Sequence, residues 1–322
     1  MDRLLDELRE LASRKGGVIL ASDLRGLRME DAERAAAVRR LFRLRRGAYA
    51  PDPPVDAAAR HRLTIAAVLR QLSRGGGNVA ASHISAALLH GLPVPPGALS
   101  TVHVLVSSTG VRRGVRHGVH THAATSRGGA NPVFGTTTIG GLAVTDPVTT
   151  VLACARTLPV VEAVAIADAA LNREMVQLQA LERASAAGRG LPGSATGRRV
   201  LALADAGSES VGETRTRLIL VQAGFELESQ VELREPDGTF VARVDLKVRD
   251  APVVVEFDGR AKYTLQGSPE SAHWREKVRH DRIGNLGYER VRVWWNRLAD
   301  PGAIVTDVAR ACERAGRNRR EA

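Results

Sequence analysis

Phe240 to Gly259 reads FVARVDLKVRDAPVVVEFDG, and its two alternating runs decide the second half of the chain. In the first run Ala242, Val244, Leu246 and Val248 alternate with Arg243, Asp245 and Lys247, the period-2 pattern of a half-buried strand. Arg249-Asp250-Ala251-Pro252 makes a tight turn. The second run sets Val253, Val255 and Phe257 on one face and Val254, Glu256 and Asp258 on the other. Side chains two apart on a strand share a face about 7 Å apart, so Glu256 and Asp258 point the same way. Antiparallel pairing across the turn brings Asp245 to join them. Three carboxylates on a mostly apolar sheet are costly unless something positive sits among them. Such oxygen donors suit magnesium or manganese. The plainer reading is ion pairing at a strand end, with Arg243, Lys247 and Arg260 close by in sequence.

Around this pair the pattern is regular. Val211 to Ala223 reads as a helix closed by Gly224, Phe225 to Leu233 as a strand, and Glu235-Pro236-Asp237-Gly238 as a turn. Pro269 to Leu286 is a helix, Tyr288 to Trp295 a strand and Pro301 to Ala315 a last helix. The order is α-β-β-β-α-β-α. With an acid in the first helix, Glu213, and Asp245 and Glu256 on neighbouring strands, it resembles the PD-(D/E)XK nuclease plan. Its closer likeness is to very-short-patch-repair-like endonuclease domains, carried by VVEFDG from Val254 to Gly259 and DRIGNLGYERVRVWW from Asp281 to Trp295.

That resemblance covers 208–318 and implies a restriction-endonuclease-like core that hydrolyses phosphodiesters with bound magnesium. It implies Asp245 and Glu256 as metal ligands, Asp258 as a ligand directly or through water, and Glu213 leaning in from its helix. The general motif ends Glu-x-Lys, and here Asp258 stands in the third position. Lys262 or Lys277 would then supply the missing positive charge, with Lys247 a third choice. Arg260, Arg279 and Arg282 would hold phosphates. Trp274 or Tyr263 would stack on an unpaired base, although a Trp among apolar helix positions reads first as core. Of Trp294 and Trp295, one is expected in the core and the other under the last helix.

At the other end, Leu4, Leu5, Leu8 and Leu11 make an apolar helical stripe ended by Gly16-Gly17. Val18-Ile19-Leu20 is extended, Ser22 caps a short helix, and Glu30 to Leu41 makes a third. FRLRRGAYA from Phe42 to Ala50 reads as a two-strand wing turning near Arg46-Gly47. This is the order of a winged helix-turn-helix, which offers a helix to the major groove and an arginine-rich wing to phosphates. Arg34, Arg39, Arg40, Arg43, Arg45 and Arg46 are the candidate DNA contacts; otherwise they form a solvated face. The order VILASDL…LFRLRRGAYAPD resembles the N-terminal domain of AbiEi-family antitoxins, winged-helix regulators of bacterial abortive-infection systems. The likeness covers about the first fifty residues, within a winged-helix domain expected over 1–55, and implies DNA and a cognate toxin as partners.

Pro51-Asp52-Pro53-Pro54 links this head to a mixed α/β middle region over 56–190, which resembles the equivalent segment of larger AbiEi-like proteins. Helices are expected over Thr64 to Leu72 and Ser82 to His90, a strand over Val102 to Ser107, and a helix opened by Asp146-Pro147. His117, His120 and His122 lack a Cys or carboxylate partner at zinc-like spacing, so a solvated or phosphate-facing hairpin is the expectation. Gly75-Gly76-Gly77 lacks the Lys-Ser/Thr of a phosphate loop and reads as a turn. Gly188 to Gly197 reads as an exposed joint before the last domain.

Composition bounds the rest. The chain of 322 residues is long enough for two or three cores, and a net charge of +11 favours a polyanionic partner such as DNA. Only 3% of residues are aromatic, so the cores rest on Ala, Val and Leu. Cys154 and Cys312 form no metal or redox spacing, and no apolar run approaches a membrane span. A cytoplasmic multidomain α/β protein is expected, acting as a DNA endonuclease or as a non-catalytic regulator with a nuclease-like tail.

Overall fold

The structure is a computed structural model that describes residues 3–26, 30, 37–73, 78–106, 114–123, 135–259 and 269–321. It is mixed α/β and divides into two units, residues 1–166 with 176–201 and residues 167–175 with 202–322. Among the described residues no helix is long and apolar enough to cross a membrane.

The first unit opens with α1 (Arg3–Arg14), β1 (Ile19–Leu20), α2 (Ala21–Arg25), β2 (Phe42–Arg45) and β3 (Ala48–Ala50). The strands pair antiparallel in the order β1-β3-β2, and Gly47 closes the hairpin at φ 70°, where a side chain would be strained. Residues 37–40 are helical, whereas 31–36, the rest of the expected third helix with Arg34, lie outside the described residues. Helix α3 (Ala57–Ser73) packs Ala66 and Ala67 into one core with Val18, Leu20, Leu44, Ala48 and Ala50. Arg70 of α3 adds hydrogen bonds to the Val18 carbonyl at 2.7 Å and to both oxygens of Asp23 at 2.8 and 2.9 Å. The head expected over 1–55 therefore shares its core with the segment that follows it.

Next come β4 (Val79–Ala81), α4 (His83–Leu89), β5 (Val102–Val106), β6 (Gly114–Arg116), β7 (Val119–Ala123), β8 (Thr136–Ile139) and β9 (Leu142–Thr145). They build a six-stranded sheet in the order β6-β7-β5-β4-β9-β8, with the β5/β7 and β4/β9 pairs parallel. Val102, Val104 and Val106 of β5 are buried in the core beneath α3, so His103 and Leu105 take the opposite face. Asp146 caps α5 (Pro147–Thr157) by accepting the Thr149 N–H at 2.7 Å, as the Asp-Pro pair implies. Helices α6 (Val160–Asn172), α7 (Leu178–Ala187) and α8 (Ser194–Leu203) follow. Residues 188–193 form a largely exposed turn that leads into α8 within the first unit. Gly193 there lies so close to the Arg156 backbone that a Cβ would collide, and the units divide at residues 201–202 instead.

The second unit contains α9 (Val211–Gln222), β10 (Leu227–Arg234), β11 (Phe240–Val248), β12 (Val253–Asp258), α10 (Pro269–Asn285), β13 (Glu289–Trp294) and α11 (Pro301–Glu321). Its sheet runs β10-β11-β12-β13, antiparallel except for the parallel β12/β13 pair. Val253, Val255 and Phe257 bury one face of β12 with Leu220 of α9 and Ile304 and Val308 of α11. Val254 packs on the other side with Val244 and with Ile283 of α10. Each such side chain contributes about 1.5–3 kcal/mol. Strand β11 departs from simple alternation, since Leu246 and Val248 join the first core while Ala242 and Val244 join the second. The change falls at Asp245, beside Gln230 at φ 54°, where the β10/β11 pairing skips from Ser229↔Leu246 to Val231↔Val244.

Candidate functional site

The acidic set begins where β11 and β12 stop pairing. Their ladder is Lys247↔Val254 and Leu246↔Val255, and one step further the Asp245 carboxylate accepts the Phe257 N–H at 2.7 Å. A side chain thus takes the place of the next backbone partner. It ties Asp245 to the β12 backbone at the residue between Glu256 and Asp258. Phe257 itself is held from the other face. Gly212 lies against its ring with no room for a Cβ, and Trp295 meets it edge-on at 5.2 Å.

Charge at this strand end is already balanced. Glu256 is 8% exposed and is bonded by Arg279 through Oε1 and by Arg290 through Oε2, the latter at 3.1 Å. Burial lowers the Arg290 guanidinium below its usual range, and Glu256 acts against that. Arg279 also donates to the Arg243 carbonyl at 3.1 Å, and Arg282 to that of Phe240 at 3.3 Å. These two expected phosphate holders therefore tie α10 to β11.

Glu213 is held at the start of its own helix. Ser210 caps α9, with its Oγ accepting the Glu213 N–H at 3.2 Å and donating to Oε1 at 2.8 Å. The other oxygen accepts from the Glu209 N–H at 2.9 Å and from Gln230 Nε2 at 3.2 Å. Ser-x-x-Glu is a helix-capping pattern, which explains an early Glu without catalysis. Lys277 is exposed and lies 5.9 Å from the Trp274 ring centre. Lys247 pairs with Glu228 at 3.4 Å. Arg260, Lys262 and Tyr263 lie outside the described residues.

The tryptophans correct the sequence reading. Trp274 is 65% exposed, and Trp294 and Trp295 are 43% and 47% exposed, so none is core. The core beneath α11 is filled by Ile304, Val308 and Ala311 against strand valines. On the wing, Arg43 and Arg46 are exposed, as are Arg39 and Arg40 on the helical turn before it. Arg45 is half-buried and lines a cavity of about 510 Å³ with Arg60 and His61; burial lowers its guanidinium.

Two polar clusters went unrecognised in the sequence. In the second unit, buried Asp168 accepts from Arg217 Nη2 at 2.8 Å, Thr214 Oγ1 at 2.8 Å and the Asp205 N–H at 2.7 Å. In the first unit, His83, His103 and His122 bring one ring nitrogen each within 4.8 Å of the others. This is the one such group of three among the described residues, and the three carboxylates do not gather as closely. His122 therefore departs from the expected solvated hairpin, while His117 is exposed at its turn. The parallel register explains it: His103 lies beside His120 and Leu105 beside His122, on the face opposite the core valines. Only the His-x-His alternation of His120 and His122 signalled this in sequence.

No family model matches the chain. It is similar to two Mycobacterium tuberculosis proteins, Uncharacterized protein MT2308 of strain CDC 1551 / Oshkosh and Uncharacterized protein Rv2248 of strain ATCC 25618 / H37Rv. Each is 29% identical over 244 residues, spanning 74% of this chain and 83% of the relative.

Proposed function

We propose that this is a DNA-binding protein whose second unit hydrolyses phosphodiesters with magnesium or manganese, on a restriction-endonuclease-like core. The observation that carries the reading is the Asp245 carboxylate on the N–H of Phe257, the residue between Glu256 and Asp258, where the β11/β12 pairing ends. Carboxylate oxygens suit a hard cation in kind, although their spacing is wider than a closed site needs. Asp245, Glu256 and Asp258 would hold the ion, with Glu256 exchanging at least one arginine for it. The bound ion would polarise the phosphoryl group and lower the pKa of the attacking water. Lys277 and the arginines of α10 would bind the flanking phosphates, and exposed Trp274 would stack on an unpaired base. The AbiEi-like first segment, with a winged-helix order and exposed Arg39, Arg40, Arg43 and Arg46, would grip duplex phosphates.

A second reading is a non-catalytic AbiEi-like regulator with a nuclease-like binding tail, working with a cognate toxin. The arginine pair on Glu256 favours it, because a fully compensated carboxylate needs no metal. Incubating the full chain with supercoiled plasmid and magnesium decides between them. The enzyme reading expects nicking that disappears in Asp245→Asn and Asp258→Asn. Binding without nicking, in magnesium and in manganese, leaves the regulator.

A further inference from the structure

We propose that His83, His103 and His122 form a binding site for one zinc-type transition-metal ion in the first unit, separate in residues and in chemistry from the acidic set. Three elements supply the ligands: the first residue of α4, the second of β5 and the fourth of β7. Their donor nitrogens lie within 4.8 Å of one another, and His103 Nδ1 and His122 Nε2 are 3.0 Å apart. Two imidazoles on a tetrahedral zinc, with Zn–N near 2.0–2.1 Å, hold their nitrogens about 3.3 Å apart. The pair needs only a few tenths of an ångström of opening to admit the ion.

The donor set also selects the metal. All three ligands are imidazoles, and the group contains no carboxylate, which suits zinc, copper or nickel and disfavours magnesium and calcium. His103 Nδ1 and His122 Nε2 lie at hydrogen-bonding distance, so binding the ion replaces the proton shared between them. Three histidines fill three tetrahedral positions and leave a fourth for water or another ligand.

The surroundings fix the ligands in place. His83 is 7% exposed and sits at φ 51°, a conformation a side-chain-bearing residue holds only when its neighbours enforce it. Its Nδ1 lies 3.0 Å from the buried Ser82 Oγ, the kind of outer contact that orients a metal-binding imidazole. The His103 N–H donates to Ser85 Oγ at 2.8 Å, and that hydroxyl also meets His61 Nε2 at 2.9 Å. His120 stacks on His122 with ring centres 4.0 Å apart. Arg156 is the opposing charge, since its field reaches His83 and disfavours a cation there.

The test uses tag-free full-length protein, stripped with chelator and titrated with zinc chloride at neutral pH by calorimetry. One equivalent should bind with submicromolar affinity, and His103→Ala and His122→Ala should each weaken it at least 100-fold. His122→Asn, which keeps a polar group of similar size, guards against misfolding and should lose zinc while retaining the wild-type circular dichroism. Tetrahedral cobalt(II) absorption in the wild type, absent from these variants, would place the ion on the three rings. Equal zinc affinity in wild type and variants, or no stoichiometric binding by folded wild type, overturns the proposal. Neither result bears on magnesium-dependent nicking, because no residue is shared.

Discussion

The acidic strand end and the histidine cluster settle their charge in opposite ways. Glu256 is met by two guanidiniums, whereas burial and their neighbours make the histidines resist protonation. An anion among arginines exchanges partners only at the cost of an ion pair. A neutral lone pair can accept a cation without first giving one up. Polar residues at strand ends therefore differ less in residue type than in whether a counter-charge is already present.

The largest effect that sharpens this contrast is expected at Asp168, a buried acid of the second unit. Burial raises its carboxyl above the ordinary range, while Arg217, the Asp205 N–H and Thr214 act the other way. Asp168→Ala takes from Arg217, whose side chain is 8% exposed, its buried carboxylate and leaves it Asp205 at 3.4 Å, and should cost about 3–5 kcal/mol. Urea unfolding of the full chain should show one of its transitions shifted to lower concentration. An unmoved transition would mean that Arg217 finds other partners and that compensation is not what holds this acid.

Glu256→Ala should cost less, about 2–3 kcal/mol, because only Arg290 of its two guanidiniums is largely buried, at 9% exposed, while Arg279 is 32% exposed and solvent can take over its charge. Its Gln variant keeps the shape and should fall between wild type and Ala in the same melt. If Glu256→Gln melts above wild type, the acid is strained by design, and the case for a displaced arginine and a bound ion strengthens.

Legibility followed the same division. Alternation along β12, the Asp146-Pro147 cap and the α-β-β-β-α-β-α order were readable because each is local in sequence. The six-stranded sheet was not, since its β5/β7 and β4/β9 pairs are parallel and nothing local sets their register. The histidine site depends on that register and was lost with it. Glu213 was picked out as an early acid, but sequence alone could not separate that role from a cap, because Ser-x-x-Glu caps a helix whether or not the domain is catalytic. Trp274 read as core because a helix drawn from sequence shows its own apolar positions and not what covers them.

Packing beneath the acids offers a smaller perturbation. A methyl group at Gly212 would run into the Phe257 ring, whose N–H binds Asp245. Gly212→Ala should destabilise by about 1–3 kcal/mol through overpacking, and should lower any nicking more than it lowers DNA binding. Equal losses of both would show that the ring supports the fold and not the acid's position.

The smallest effect separates the clusters by pH in metal-free protein. His103 and His122 have folded pKa values of about 4 and 3, below the ordinary 6.5, so between those values and 6.5 the unfolded chain binds more protons. Stability must then rise with pH through that window. It is fully present above 6.5 and is lost as pH falls toward 4 and then 3. The groups that face these rings are His61, His83 and His120, with Arg156 bearing on His83, and every one adds positive charge on acidification or already carries it. Because the rings are partly exposed, each should contribute well under about 1 kcal/mol between pH 7 and pH 6. Comparing the melting temperature of wild type with His103→Asn/His122→Asn at pH 7, 6 and 5 isolates the contribution. The double variant should lose less stability on acidification than wild type. Parallel curves would mean that the rings titrate as they do in water, and the contrast with Glu256 would then rest on geometry alone.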